Sequence, residues 1–498
     1  MLYSAFAARF EQYADHILIE EDGGARFTYA DIAGLAAQID GALRALGVVP
    51  GDRVLAQIEK SPHAFALYLA CLRAGAIYVP LNTDYTEAEL AYFLGDAEPR
   101  VVVAAPSAEG LFTRLAAAHP SIRVRTLAGG GTGSLLSERH TPMPPASRNT
   151  DDLAAILYTS GTTGKPKGAM LSHGNLLSNA ETLVSLWRFS PSDTLIHALP
   201  IYHVHGLFVA CHCALLSGAT MIFLPKFDGK RILALMARAS VLMGVPTFYT
   251  RLLSEPALNK ESVRHMRLFI AGSAPLSPET FKEFETRTGH TVLERYGMTE
   301  TGMLCSNPYD GARIAGSVGF PLPGVELRIA DAETGNPCET GAVGIVEVKG
   351  PNIFKGYWRN PEKTAAEFRP DGYFITGDMG LRDQRGYVHL VGRAKDLVIT
   401  GGLNVYPAEV EALLDAIPGI AESAVIGVPH ADLGEGVVAV VRIAEGTLDE
   451  EAIRTTLRRD LAGFKVPKRV IALPELPRNS MGKVQKNILR ASYVDLLK

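Results

Sequence analysis

The stretch from Leu157 to His173, LYTSGTTGKPKGAMLSH, concentrates groups that hold anions. Thr159, Ser160, Thr162 and Thr163 offer hydroxyl donors. Gly161 and Gly164 let the backbone turn and expose its N–H groups, and Lys165 and Lys167 add positive charge. Amides gathered in a turn, with ammonium groups beside them, suit a polyphosphate. The spacing is not that of a P-loop, because Gly161 and Gly164 are too close and Pro166 follows Lys165. On these residues alone, a phosphate nest and a plain polar turn ahead of a helix both stay open. GGGTGS at 129–134 reads as a flexible surface connection, since it lacks GxGxxG spacing and opens no helix.

The elements that must position the loop alternate. Asp31–Leu46, His63–Ala74 and Glu87–Leu94 carry helical periodicity, while 53–58, 78–82 and 100–105 are apolar strand-like runs. The rhythm returns with a strand at 154–159, the loop, and a helix from Gly174; 220–225, 241–246 and 268–272 are further strands. Strands separated by helices predict parallel sheets covered on both faces. From about Gly316 the runs shorten and are broken by Gly, Pro and Asp, which predicts a smaller antiparallel or barrel-like piece. After GRAKDLVITGG comes a compact tail with a helix from about Pro407, strands at 423–428 and 437–443, and a helix after Leu448.

Bulk properties narrow the classes. At 498 residues the chain exceeds what one core usually supports, so two or more domains are expected. With 47% apolar and 20% charged residues it has a globular composition. A net charge of -4 gives no basic footprint for nucleic acid. Five scattered cysteines without a CxxC pair fit a reducing, cytoplasmic setting. Cys211 and Cys213, near His203, His205 and His212, lack the spacing of a structural zinc site and read as small buried hydrophobes. The N-terminus carries Glu11 and Asp15 and is no secretory signal. His205–Pro225, interrupted by His212 and glycines, predicts a buried helix, turn and strand rather than a membrane span.

Four further stretches follow the loop in order: ERYGMTET (294–301), TGD (376–378), GRAKD (392–396) and NSMGKVQKN (479–487). With the loop they resemble the signature set of the adenylate-forming superfamily, which includes acyl-CoA synthetases, luciferases and peptide-synthetase adenylation domains. The resemblance spans essentially the whole chain. It implies an α/β fold: a large N-terminal domain (1–393) of two stacked α/β sheets plus a small β-barrel, and a smaller mobile α+β domain (394–498) hinged near Lys395. It also implies a two-step reaction. A carboxylate attacks the α-phosphate of ATP to give an acyl-adenylate and pyrophosphate, and a thiol then displaces AMP.

The same resemblance implies roles. Thr159, Ser160, Gly161, Thr162, Thr163, Gly164 and Lys165 would hold the phosphates. Glu300, with Thr159, would hold Mg²⁺, a hard cation that prefers oxygen ligands. Tyr296 would stack on adenine opposite Gly272, Ser273 and Ala274, with Glu294, Arg295, Gly297, Met298 and Thr299 completing the nucleotide site. Asp378 would accept from the ribose hydroxyls, and Arg393 would reach ribose or phosphate. Lys395 matches the hinge. Lys483, beside Gly482, matches the catalytic lysine of the first step. Acetylation would remove its charge, so a lysine acetyltransferase and deacetylase are the partners such a switch would need. Gly401 and Gly402 resemble the loop that lets the CoA thiol arm pass.

For the acid, LPIYHVHGLF (199–208) and GVPTFYTRLL (244–253) lie where the family builds its acyl pocket. No Asp is present in PIYHVHG to pair with an amino-acid ammonium. His203 matches a residue that gates the carboxylate, and His205 adds a polar group; Ser273 and Met298 complete the wall. Thr247 and Arg251 are four apart at a helix start and share a face. An arginine facing the pocket suits a second carboxylate. HVHGLF, VPTFYTRLL and SNPYDGARIAGSVG together look like malonyl-CoA synthetases, which implies malonate, ATP and CoA as substrates. Another short-chain or aromatic acyl-CoA ligase, or a carrier-loading adenylation enzyme, is the alternative. The intact set Glu300, Asp378, Arg393 and Lys483 argues against a non-catalytic relative.

Overall fold

The computed structural model describes residues 2–138, 140–159, 166–444, 447–479 and 482–497. The phosphate-loop residues Ser160 to Lys165 therefore lie outside the described residues.

Two stacked sheets form the larger part. One has six strands in the order Arg123–Thr126, Val101–Ala104, Arg53–Gln57, Ile77–Pro80, Leu153–Thr159 and Lys167–Ser172. The other has nine, with a parallel centre built from Leu293–Met298, Leu268–Ala271, Val241–Gly244, Thr194–His197, Thr220–Phe223 and Ile17–Glu21. The central strands are continuous apolar runs because helices cover them: all four residues of Val101–Ala104 and of Leu268–Ala271 are buried. The Pro62–Ala74 helix is apolar nearly all round, as a helix enclosed between layers must be. Ser61 caps it by accepting from the Ala64 N–H, Pro62 opens it, and Gly75 closes it at φ +73°.

One element departs from the sequence reading. Between Thr159 and the helix expected from Gly174 lies not a loop alone but a second strand, Lys167–Ser172, paired antiparallel with Leu153–Thr159 so that Thr159 lies opposite Lys167. The helix begins only afterwards, at His173–Leu186, behind a Ser172–Asn175 capping box. The short KGAMLS run has no clear alternation. Its outer edge is fixed by a distant segment: Met170 N–H donates to the Gly356 carbonyl and Trp358 N–H to the Gly168 carbonyl.

The antiparallel piece after Gly316 is a four-stranded meander of Glu326–Ala330, Gly344–Lys349, Phe374–Arg382 and Val388–Arg393. The buried apolar cluster of the large part runs to Val388. Separate clusters begin at Val398 and pack on both faces of a sheet centred on Ile420–His430 and Gly434–Ile443. Between them lies a single short turn, Ala394–Asp396. Among the described residues no helix is long and apolar enough to cross a membrane, and no group of three or more His, Cys, Asp or Glu is placed to hold a metal ion. Cys211 and Cys213 are buried.

Four histidines sit in the core: His173, His197, His205 and His212. Tyr68 Oη lies 2.8 Å from His212 Nε2. Burial lowers His212 to about 3 and His173 to about 4, and takes His197 and His205 well below the usual histidine range. The folded chain keeps these rings neutral where the unfolded chain protonates them. Stability is therefore lost as pH falls through about 6.5 toward 4, at up to ~1.4 kcal/mol per pH unit per ring. Burial raises Glu294 to about 8, which acts in the opposite sense, so a difference isolates the effect. Urea unfolding of wild type and His212→Gln, followed from pH 7.5 to 5, is expected to show a shallower loss in the variant. Parallel curves would show that His212 carries no such linkage.

Candidate active site

The site gathers at the carboxyl ends of the central strands, where open parallel sheets leave a crevice. The Leu293–Met298 strand crosses it and hairpins into Gly302–Ser306. Successive side chains on a strand alternate faces, so Glu294 and Arg295 cannot neutralise each other. Glu294 accepts from the Leu276 N–H at 3.4 Å, and its second oxygen has no hydrogen-bond partner among the described residues.

Arg295 is 2% exposed, and its Nε and Nη2 also lack hydrogen-bond partners among the described residues. Burial pulls it down to about 9, still a cation at neutral pH. Its guanidinium lies across Gly272, where a Cβ would come within 2.7 Å of Nε and Nη1; only glycine lets it pass. Around it stand His203, His205 and Tyr249, each of which feels its charge. His203 drops to about 4, mainly by desolvation, with Arg295 and Lys483 adding repulsion, so it too is neutral. His205 Nδ1 lies 3.3 Å from Ser273 Oγ, and its Nε2 has no hydrogen-bond partner among the described residues. Ser273 is held at φ +75°, a left-handed conformation that a non-glycine residue adopts at a cost. Grouped with the nucleotide by its motif, Arg295 is placed by the structure among the residues expected at the acyl pocket.

Arg251 differs from expectation. It shares the Pro246–Leu253 helix with Thr247, but it is exposed, with its guanidinium 5.7 Å from the Phe227 ring centroid. The inward-facing arginine is Arg295, because the strand delivers it to the crevice while the helix leaves Arg251 at the rim.

On the other side, Asp378 and Arg393 pair across adjacent strands, with Nε–Oδ1 at 2.6 Å. The Tyr296 hydroxyl donates to the other Asp378 oxygen. Glu300 is buried, its pKa raised by desolvation, and its Oε1 lies 3.1 Å from the Tyr357 hydroxyl, which also lies 2.7 Å from Glu367. Lys167 Nζ lies 5.2 Å from the Tyr357 ring centroid. Tyr357 and Glu367 escaped the sequence reading; GYW carries no spacing that links it to Glu300 fifty-seven residues earlier. Gly297, Met298 and Thr299 form the half-buried approach to Glu300, and Ala274 follows Ser273 at the surface of the crevice.

The small domain closes this crevice. Asn479 and Lys483 exchange bonds: the Asn479 side chain accepts from Lys483 N–H at 2.9 Å, and Lys483 O accepts from Asn479 N–H. Gly482, at φ +73°, faces Thr247 Oγ1 of the large domain, 3.7 Å from where its Cβ would stand. Lys483 is exposed at its edge, yet partial desolvation, with repulsion from Arg393 and Lys395, lowers it below the usual lysine range against the pull of Asp378 and Asp396. His203, Asp378, Arg393, Lys395 and Lys483 thus share one electrostatic neighbourhood. Gly401 and Gly402 do not join it. They form the tip of the Val398–Thr400/Leu403–Val405 hairpin, with Ile399 and Leu403 exposed beside them.

Known proteins resemble the chain over its whole length. Residues 6–358 match the AMP-binding enzyme family and residues 409–483 match the AMP-binding enzyme C-terminal domain. The structure of ATP-bound MatB from Rhodopseudomonas palustris is similar over 100% of both chains, at 57% identity and a TM-score of 0.97; the apo form of the same protein superposes at 0.85. A malonate–CoA ligase of Arabidopsis thaliana is 34% identical over 99% of this chain and 89% of its own. A feruloyl-CoA synthase of an Amycolatopsis species is 35% identical over 98% of each. With the family match covering more than half of its length, the chain belongs to the AMP-binding, adenylate-forming enzymes.

Proposed function

We propose that the protein is an AMP-forming acid–CoA ligase acting on malonate: ATP + malonate + CoA give malonyl-CoA, AMP and pyrophosphate. The observation that carries the choice of acid is the buried Arg295 cation, which has no counter-ion among the described residues. A monocarboxylic acid with an apolar tail would leave that charge unpaired, at a cost of several kcal/mol. A short diacid brings one carboxylate to the reaction and offers the other to the guanidinium. The relatives include both malonate and feruloyl ligases; a bulky aromatic acid would have to leave Arg295 unpaired. Arg251, at the rim, adds positive potential for a dianion's entry.

In the first step a carboxylate oxygen of malonate forms a bond to the α-phosphorus while the bond to the β-phosphate bridging oxygen breaks. Lys483 places one ammonium between two approaching anions, and its charge stabilises the transition state. Asp378 takes the ribose hydroxyls, Arg393 steadies the carboxylate and the phosphate side, and Tyr296 with 272–274 encloses adenine. Glu300 and Thr159 supply oxygen ligands of the kind Mg²⁺ takes, where the ion would offset phosphate charge. In the second step the CoA sulfur forms a bond to the acyl carbon, AMP leaves, and the thiol proton is released. For that step we propose a rotation of the residues after Arg393 about Lys395, bringing the Gly401–Gly402 hairpin to the thiol arm. The closer likeness to ATP-bound than to apo MatB supports reading the present pose as the adenylating one. Removal of the Lys483 charge by acetylation would block the first step alone.

Pyrophosphate release across acetate, malonate, methylmalonate, succinate, octanoate and benzoate tests the acid. Malonate is expected to lead. Arg295→Met is expected to lower kcat/KM for malonate by about 10²–10⁴, the equivalent of about 3–5 kcal/mol, without a matching loss on acetate. Arg251→Ala is expected to lose less than about tenfold, because an exposed charge is screened. Equal losses of Arg295→Met on both acids would refute the reading of a second carboxylate.

Lys483→Ala is expected to stop pyrophosphate exchange by several orders of magnitude while sparing thioester formation from supplied malonyl-adenylate and CoA. Lys486 pairs with Glu411 at 2.6 Å, so Lys486→Ala serves as the control and retains exchange. Exchange surviving in Lys483→Ala but lost in Lys486→Ala would reverse the assignment.

A further inference from the structure

Lys60 lies outside every motif above. It stands between the Arg53–Gln57 strand and Ser61, the cap of the Pro62–Ala74 helix. Its ammonium crosses from one sheet to the other. There it donates to the carbonyl oxygens of His197 (2.6 Å) and Leu224 (2.8 Å), and it reaches Nδ1 of His197 at 2.8 Å. Three N–H donors thus meet three acceptors. Among the described residues no carboxylate pairs with Lys60, and burial lowers it to about 7. Holding a cation there is costly, and packing alone would be met by an apolar chain of the same length.

A carbonyl oxygen can only accept, so the proton of the neutral His197 ring sits on Nε2, toward Gly206, and Nδ1 accepts from Lys60 Nζ. Nε2 lies 2.9 Å from the Gly206 carbonyl oxygen. Gly206 belongs to the π-helical turn His205–Cys211, and turns of this kind recur at functional sites. No Cβ is possible at Gly206, since it would stand 2.0 Å from the Pro200 carbonyl oxygen. The same turn carries His205 to Ser273, and the His205 N–H donates to His203 Nδ1 at 3.3 Å. The bond chain therefore runs from Lys60 through His197 and Gly206 to both histidines of the pocket wall.

We propose that Lys60 is a positioning residue for the acyl pocket: by donating to Nδ1 it fixes the His197 tautomer whose Nε2–H holds the Gly206 carbonyl, and so sets the turn that presents His203 and His205 to the acid. This rests on the reading of that pocket as the acid site. Lys60 touches neither nucleotide nor acid residues directly, so its loss acts on acid binding and leaves ATP binding in place.

The test uses the full chain carrying Lys60→Met, His197→Leu or His197→Gln, with thermal unfolding to check folding. Glutamine keeps one acceptor and one donor; leucine keeps neither. Lys60→Met and His197→Leu are expected to raise KM for the acid about tenfold, the scale of one hydrogen bond, with KM for ATP within about twofold. His197→Gln is expected to recover most of the acid KM. In the wild type, ¹⁵N shifts of the His197 ring are expected to show a proton on Nε2 and none on Nδ1. A ring protonated at Nδ1, parallel changes in both KM values, unchanged acid KM, or no recovery with glutamine would each overturn the proposal. If Lys60→Met does not fold, the two His197 variants and the wild-type ring decide it. If the wild type prefers another acid, the same KM ratios are read on that acid, so the malonate reading can fail separately.

Discussion

Arg295 carries a positive charge to a place where water scarcely reaches it and where, among the described residues, no carboxylate meets it. Much of the crevice follows from accommodating that cation. Gly272 must lack a side chain so that the guanidinium can pass. The histidines around it must be neutral, and burial with the nearby charge keeps His203 and His205 so. Glu294, its neighbour in sequence, is turned to the opposite face by the pleat and itself kept protonated by burial. An uncompensated buried charge is a standing cost to stability, and a ligand that supplies the missing anion gains what the fold has forgone.

The side proposed for the nucleotide uses the reverse strategy. Asp378 is held by Arg393 and Tyr296, and Glu300 by Tyr357. These groups sit on rigid paired strands, so their spacing is set by sheet register rather than by loop conformation. Arg393 is also the last residue before the short Ala394–Asp396 turn, beyond which a separate apolar core begins. The carboxylate proposed for ribose and the junction between the two bodies are thus joined through one ion pair. A movement of the small domain would be felt at the nucleotide site without any longer relay.

Behind the site the two large sheets meet through Lys60 and His197. Sheet-on-sheet packing is normally apolar and tolerant of small shifts. A hydrogen-bonded lysine bridge is directional, and it joins the sheet interface to the π-helical turn His205–Cys211 on the side proposed for the acid. The π-helical turn gains an external anchor for a carbonyl at its first residues. This ties the position of His205 to the framework of both sheets.

The alternating α/β architecture was legible in the sequence because parallel strands buried on both faces must be apolar throughout, and Val101–Ala104 or Leu268–Ala271 has no other environment to suit it. The ordered motifs were legible because nucleotide chemistry needs particular donors on turns, and Asp378, Arg393 and Lys483, read from three separate stretches, do share one neighbourhood. The Lys167–Ser172 strand was not legible, since a distant segment around Gly356–Trp358 holds its edge. Nor were the partners Tyr357 and Lys60, which meet Glu300 and His197 across long separations with no local pattern to mark them. The choice between Arg251 and Arg295 shows the division most sharply. Residue type, spacing and the family resemblance pointed to Arg251 as the arginine of the acyl pocket. Which one lost its water was decided only by the tertiary structure, because burial depends on what packs around a side chain and not on the residues beside it in the chain.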